Sequence, residues 1–239
     1  MSLSKNHIKL ITSLSQKKYR QKHQLFIVEG VKVVQEFLSS SYELEILFST
    51  ENDFSFTNKF IKVSDQELKK ISGLKNPNKV LAIFKIPNQI NPITGGLILA
   101  LDSINDPGNL GTIIRLCDWF GIEQLVCSNE TVDCFNSKVV QASMGSLTRV
   151  AVSYLDLKKY LQNASVPIFV ADMDGLNVYK TKLPDSAVLV LGNEANGISD
   201  EIKQLVTTKI TIPRYGAFQQ TESLNVATAS AILLSEFRR

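Results

Sequence analysis

Two uninterrupted apolar runs constrain this chain more than any other feature: LILALDS at 97–103 and AVLVLG at 187–192. Neither alternates polar with apolar residues, so neither suits a strand with one wet face. Such a run fits a strand covered on both sides, the environment of a parallel sheet sandwiched between helices. The stretches around them alternate in character. NLGTIIRLCDWFG (109–121), KVVQASMGS (138–146), LKKYLQNA (157–164) and SDEIKQLV (199–206) read as helices, and the chain closes on a further helix. EQLVC (123–127), RVAVSY (149–154), VPIFVADM (166–173) and KITIP (209–213) read as strands. This alternation predicts an α/β fold: a parallel sheet with helices on both faces.

A smaller alternating unit precedes it. NHIKLITSLSQKKYR (6–20) has Ile8, Ile11 and Leu14 at helical spacing. LFIVEG (25–30), LEILFST (44–50), KFIKV (59–63) and KVLAIFKI (79–86) read as strands, and VKVVQEFLSS (31–40) as a helix. In SDQELKKIS, Ser64 followed by Glu67 is a capping-box signature. PNQINPITGG (87–96) combines Pro, Gly and Asn and is the best linker in the chain. The expected division is therefore a small α/β domain over 1–87 and a parallel-sheet α/β domain over 97–239.

Of the 239 residues, 44% are hydrophobic and 21% charged, an ordinary globular balance. No apolar run reaches membrane-span length, and the first residues are polar and basic, so a cytoplasmic protein without a secretory signal is expected. Cys117, Cys127 and Cys134 form no C-x-x-C pair, which suits reduced thiols. With only His7 and His23, neither beside a cysteine, no metal site is expected. Net charge is +3, but Met1 to Val28 contains Lys5, Lys9, Lys17, Lys18, Arg20 and Lys22 and no acid at all. A one-signed segment of this kind attracts the phosphates of RNA or DNA, although a solvated helix face is the commoner fate of a charge run.

In parallel α/β sheets, ligands sit beyond the carboxyl ends of strands. Three places there carry candidate chemistry. In DSINDPGNLGTIIR, Asp106, Pro107 and Gly108 make a turn, Asn109 stands where a helix N-cap belongs, and Arg115 follows among apolar neighbours that leave its guanidinium in need of a partner. In LVLGNEANGIS, Gly192 and Gly197 flank a polar turn that presents Glu194. In the third, Ile212 and Pro213 end a strand, and Ser223, Leu224 and Asn225 open the last helix, whose N–H groups suit an anion or a ligand's polar edge. No G-x-G-x-x-G and no G-x-x-x-x-G-K-[ST] occurs, which removes dinucleotide-binding and P-loop readings. ASMGS lacks nucleophile-elbow spacing, and neither histidine falls in the second domain, which argues against hydrolase chemistry there.

Taken in order, DPGNLGTIIRLCDWFG, LVLGNEANGIS and IP…ESLNVATA resemble the SpoU/TrmH family of RNA ribose 2'-O-methyltransferases of the SPOUT superfamily, over residues 97–239. NSKVVQASMGS also resembles a family segment. KKYRQKHQLFIVEGVKVVQE resembles the small ribosomal-protein-like domain that precedes the catalytic domain in many ribosomal RNA members. The resemblance implies a deep trefoil knot in the C-terminal segment, an S-adenosylmethionine pocket built by the knot, and a homodimer. Carried over residue by residue, Gly192, Ile212 and Leu224 contact the cofactor, and Asn109, Arg115, Glu194, Ser223 and Asn225 form the catalytic constellation. This sequence departs from the family in RYGAFQQTE (214–222), a longer stretch between Pro213 and Ser223 that bears on the shape of the pocket.

The function implied is S-adenosylmethionine-dependent, metal-independent methylation of a ribose 2'-hydroxyl in RNA, with large-subunit rRNA favoured by the N-terminal resemblance. A non-catalytic RNA-binding or ribosome-assembly factor on the same scaffold is the alternative, and a small-molecule enzyme a third.

Overall fold

The structure, a computed structural model, describes residues 3–88, 95–193, 195–216, 218 and 223–239. The chain forms two compact units. One holds the chain up to Asn88 together with Asp133–Thr148, and the other holds the stretch that follows Asn88 up to Val132 together with Arg149–Arg239. The segment 133–148, which the sequence places in the second domain, thus packs in the first. Most of the proposed linker, residues 89–94, lies outside the described residues.

In the first unit, helices α1 (Lys5–Ser13), α2 (Lys17–His23), α3 (Val31–Leu38) and α4 (Asp65–Ile71) surround strands β1 (Leu25–Glu29), β2 (Leu44–Ser49), β3 (Phe60–Lys62) and β4 (Val80–Lys85). The single helix expected over 6–20 is two. Leu14 turns inward, and the carbonyls of Leu14 and Ser15 accept hydrogen bonds from Arg20 Nη1 at 2.9 and 3.0 Å, a competition that ends the first helix. The Ser64–Glu67 capping box forms as read. The sheet order is β1-β4-β2-β3, antiparallel except for the parallel β2–β3 pair. Side chains alternate across it. Ile27, Leu81 and Ile83 join Ile11, Leu14, Leu68 and Ile71 in one core, whereas Phe26 and Phe84 join an aromatic cluster with Phe37, Tyr42 and Phe135. Phe135 and the Arg20–Asp133 ion pair (2.6 Å) are what hold 133–148 here, with the helix α6 (Ser137–Ser143) against β1.

In the second unit, strands β5 (Leu97–Leu101), β6 (Gln124–Ser128), β7 (Ala151–Leu155), β8 (Ile168–Asn177), β9 (Ala187–Leu191) and β10 (Thr208–Thr211) form one sheet in the order β10-β8-β9-β5-β6-β7. Every pairing is parallel. The apolar runs behave as their composition demands: all residues of β5, β6 and β9 are buried, while the edge strands β7 and β10 are half-wet. Ile98, Ala100, Val188 and Val190 face Leu157 and Leu161 of α7 (Leu157–Gln162) and Ile202 of α8 (Asp200–Lys203). On the opposite face α5 (Pro107–Trp119) packs against α9 (Val226–Phe237), and Phe169 meets Phe237 edge-on with ring centroids 5.4 Å apart. β8 departs from a plain strand. Its pairing with β10 jumps from Val170–Lys209 to Leu176–Ile210, so residues 171–175 bow out of register.

Candidate functional site

The strongest local constraint on the site is at Gly192, where β9 ends. A Cβ there would lie 2.4 Å from the Gly197 carbonyl carbon and 2.5 Å from the Ile198 nitrogen. The backbone crosses itself so closely that no side chain fits. The turn is closed by Asn193 and Gly197, each donating its N–H to the other's carbonyl, at 3.0 and 2.8 Å. Gly197 sits at φ 67°, a left-handed backbone that suits glycine. Buried Asn193 then organises the rest: its Oδ1 accepts from the N–H groups of Ala195 (2.9 Å) and Asn196 (3.1 Å), and its Nδ2 donates to Ser103 O at 2.7 Å. Asp102, at the end of β5, accepts from the Ser199 N–H at 2.8 Å. The ends of β5 and β9 are therefore laced together by Asn193 and Asp102, neither of which sequence reasoning singled out. Both were visible as polar residues directly after buried apolar runs.

Beside this turn lies a cleft of about 820 Å³, within the usual ligand-pocket range of roughly 300–1,000 Å³. Gly192, Ile212, Ser223 and Leu224 line it, together with Ala171 to Met173 of the bowed part of β8. Asp172 pairs with Lys209 at 3.0 Å. Burial pushes the Asp172 carboxyl up, but Lys209 and nearby backbone N–H groups more than offset this and hold it below its ordinary value. Arg214 and the exposed rings of Tyr215 and Phe218 reach the same cleft from the long stretch after Pro213.

A hydrogen bond joins the first and third motifs: Asn225 Nδ2 donates to Asn109 Oδ1 at 2.9 Å across 116 residues of sequence. Two local readings change. Asp106, not Asn109, caps α5, accepting from the Asn109 N–H at 2.8 Å with Pro107 at the first helical position. Asn225 itself caps α9, its Oδ1 accepting from Ala227 and Thr228 N–H at 3.0 and 3.2 Å. Those two donors, read from sequence as available to a ligand, are used by the cap. The small residues of α9 divide: Ala227 and Ser230 are buried, Ser230 Oγ donating to Val226 O, while Ala229 lines the cleft.

Arg115 is exposed on α5 and, among the described residues, has no ion-pair partner. Asp118, three residues further along α5, accepts from Arg149 Nε and Nη2 at 2.9–3.1 Å. Arg115 is six residues beyond Asn109 on the same helix, about 9 Å of helical rise. Glu194 lies outside the described residues. Among the described residues no group of His, Cys, Asp or Glu is arranged to hold a metal ion.

This geometry can be set beside known proteins. The SpoU rRNA Methylase family matches residues 96–235, and an MRM3-like substrate binding domain matches residues 5–82. The 23S rRNA (guanosine(2553)-2'-O)-methyltransferase RlmP of Bacillus subtilis (strain 168) is 30% identical over 94% of this chain and 93% of its own length. A Porphyromonas gingivalis structure described as a TrmH-family RNA methyltransferase is 40% identical with a TM-score of 0.90, covering 99% of this chain and 98% of that one. The AdoMet-bound rRNA methyltransferase of Sinorhizobium meliloti is 28% identical with a TM-score of 0.88, covering 100% of this chain and 97% of that one. With a family match over more than half of its length and a full-length relative of this kind, the chain belongs to the SpoU rRNA methylase family and is a methyltransferase.

Proposed function

We propose that this protein methylates a ribose 2'-hydroxyl in RNA, in large-subunit rRNA, with S-adenosylmethionine as donor. The observation that carries the reading is the cleft between the Gly192 turn and Leu224, with the Asn109–Asn225 bond at the entrance to α9. A nucleoside-sized cofactor fits its volume, and a turn that excludes even a Cβ leaves backbone groups to meet the ligand. The names of the relatives support 2'-O chemistry and 23S rRNA.

When bound, S-adenosylmethionine supplies an electrophilic methyl group on a sulfonium, which needs no metal. The protein's task is to hold donor and hydroxyl in line and to handle one proton. Gly192, Ile212 and Leu224 grip the cofactor, mainly through backbone. Asn109 and Asn225 fix one another's amides and with them the start of α9. Ser223, exposed at the cleft, and Glu194 complete the constellation. Arg115 acts as a donor, since a guanidinium is a poor proton acceptor: it orients the hydroxyl, grips the neighbouring phosphate or stabilises the developing alkoxide.

The same reading includes a trefoil knot in the C-terminal segment, a homodimer and a cytoplasmic setting. Close backbone crossings at Gly192–Gly197 and at Gly175–Ile210, where a Cβ would sit 2.4 Å from backbone, support a tightly threaded chain. Trp119, 84% exposed on α5, supports cover by a second copy. The test is methyl transfer from labelled S-adenosylmethionine to unmodified large-subunit rRNA, with the product mapped by 2'-O-methyl-sensitive cleavage. One resistant ribose is expected. Label on a base, or none with folded protein, would overturn the reading.

A further inference from the structure

The acid-free N-terminal segment does not act as one uniform basic tail, because one of its cations is spoken for. Arg20 is 2% exposed, pairs with Asp133 through Nε (2.8 Å) and Nη2 (2.6 Å), and gives Nη1 to two carbonyls. Its charge is spent inside the first unit.

That internal bond sets the roll of α2. At about 100° per residue, Lys18 and Lys22 stand about 200° from Arg20 in either direction, so burying Arg20 aims both at solvent on the far side of the helix. The two lysines, one turn apart, have Cβ atoms about 6 Å from each other. Both are exposed, as is Lys17 beside them. Tyr19 and His23 stack along one flank with ring centroids 6.4 Å apart, and Lys18 Nζ lies 4.9 Å from the Tyr19 ring centroid. α2 carries no acid in its first turn, and like charges at this spacing destabilise a helix. α2 is thus a seven-residue helix whose orientation is fixed by a buried ion pair and whose outward face is cationic.

We propose that the Lys18–Lys22 face of α2 is the element of the first unit that grips the RNA backbone. The two ammonium groups bind phosphates, and the Tyr19–His23 pair offers a stacking edge for a base. The proposal rests on the RNA-directed reading above and specifies which surface does the holding.

The test measures binding of the full-length protein to an in vitro transcript of large-subunit rRNA over a range of salt. Each lost phosphate contact removes about 0.7–0.9 from the slope of log K against log salt. The double variant Lys18→Gln/Lys22→Gln should therefore lose about 1.4–1.8 of slope and, worked between 1 M and 0.1 M salt, roughly 25- to 60-fold in affinity at 0.1 M. Its melting temperature should be no lower than that of the wild type, since the substitutions relieve a like-charge pair, and its S-adenosylmethionine affinity should be unchanged. Lys69→Gln/Lys70→Gln, the same charge change on exposed α4 residues, should leave the slope unchanged. A wild-type slope in the α2 variant, or an equal loss in the α4 variant, overturns the proposal. Wild-type protein that binds the transcript but transfers no methyl group would sink the functional reading while the α2 comparison still decides this one.

Discussion

Replacing Gly192 with alanine tests the idea that the cleft depends on a backbone crossing with no room for a side chain. The new methyl would lie 2.4 Å from the Gly197 carbonyl carbon, where an ordinary contact begins at 3.4 Å, so the turn must open by about 1 Å. The groups it meets are backbone and cannot rotate aside. Opening by that amount stretches both Asn193–Gly197 hydrogen bonds, now 3.0 and 2.8 Å, out of range. At about 0.5–1.5 kcal/mol each, the loss is about 1–3 kcal/mol, the usual range for overpacking. For a chain of this size that lowers the melting temperature by about 2–12 °C. Because the displaced turn is a wall of the cleft, S-adenosylmethionine affinity should fall by about tenfold or more, equivalent to at least about 1.4 kcal/mol. Gly197→Ala is the internal control. Its Cβ meets nothing within 4 Å, so the cost is confined to a left-handed alanine, roughly 1–2 kcal/mol, with the cleft wall in place. Thermal unfolding and isothermal calorimetry read both quantities. If Gly192→Ala melts and binds cofactor like the wild type, or if Gly197→Ala harms cofactor binding more, the reasoning fails.

Arg115→Ala should keep its melting temperature, because the exposed side chain has no ion pair among the described residues, and should keep cofactor affinity within about threefold while turnover falls roughly 10²–10³-fold; full activity on RNA would remove Arg115 from the mechanism. Asn225→Ala loses both a cap, about 1 kcal/mol, and the bond to Asn109, about 1 kcal/mol, so its melting temperature should drop by about 4–8 °C; an unchanged value would show that neither bond persists in solution. Burial pushes the Glu29 carboxyl above its ordinary value of 4.5, against hydrogen bonds from Ser72 and Gly73. The folded state therefore holds that proton more tightly. Its contribution to stability is fully present below the ordinary value and is lost as pH rises through the raised one. Glu29→Gln should remove this component from a denaturant titration repeated across pH; an identical pH profile would show that the carboxyl is not perturbed.

Much of the fold was legible because its causes are local. β5 and β9 announce themselves as continuous apolar runs, and both are buried throughout. The Ser64–Glu67 box needs only residues three apart, and it forms. At the candidate site, Gly192 and Gly197, read as flanking a polar turn, do flank one, and that turn borders the cleft. Details decided by competition between neighbours were harder. Asp106 and Asn109 are both good caps, and only the chain's path into α5 shows which side chain meets which N–H.

The sequence by itself determined the parallel-sheet architecture, because hydrophobic periodicity, capping and turn chemistry act over a few residues, and the family followed from the resemblance of its ordered motifs to a known one. Tertiary structure alone decided which distant groups became partners. Arg20 belongs to the basic run by composition, yet Asp133, 113 residues away, takes it out of solvent and turns Lys18 and Lys22 outward. Phe135 looks like part of the second domain and joins the aromatic cluster of the first. Asn193 reads as one more polar turn residue until its amide is seen joining β9 to Ser103. The physical reason is common to all three: a buried polar or aromatic group must find a partner, but its chemistry states only what kind of partner is needed, and the folded chain determines which one is within reach.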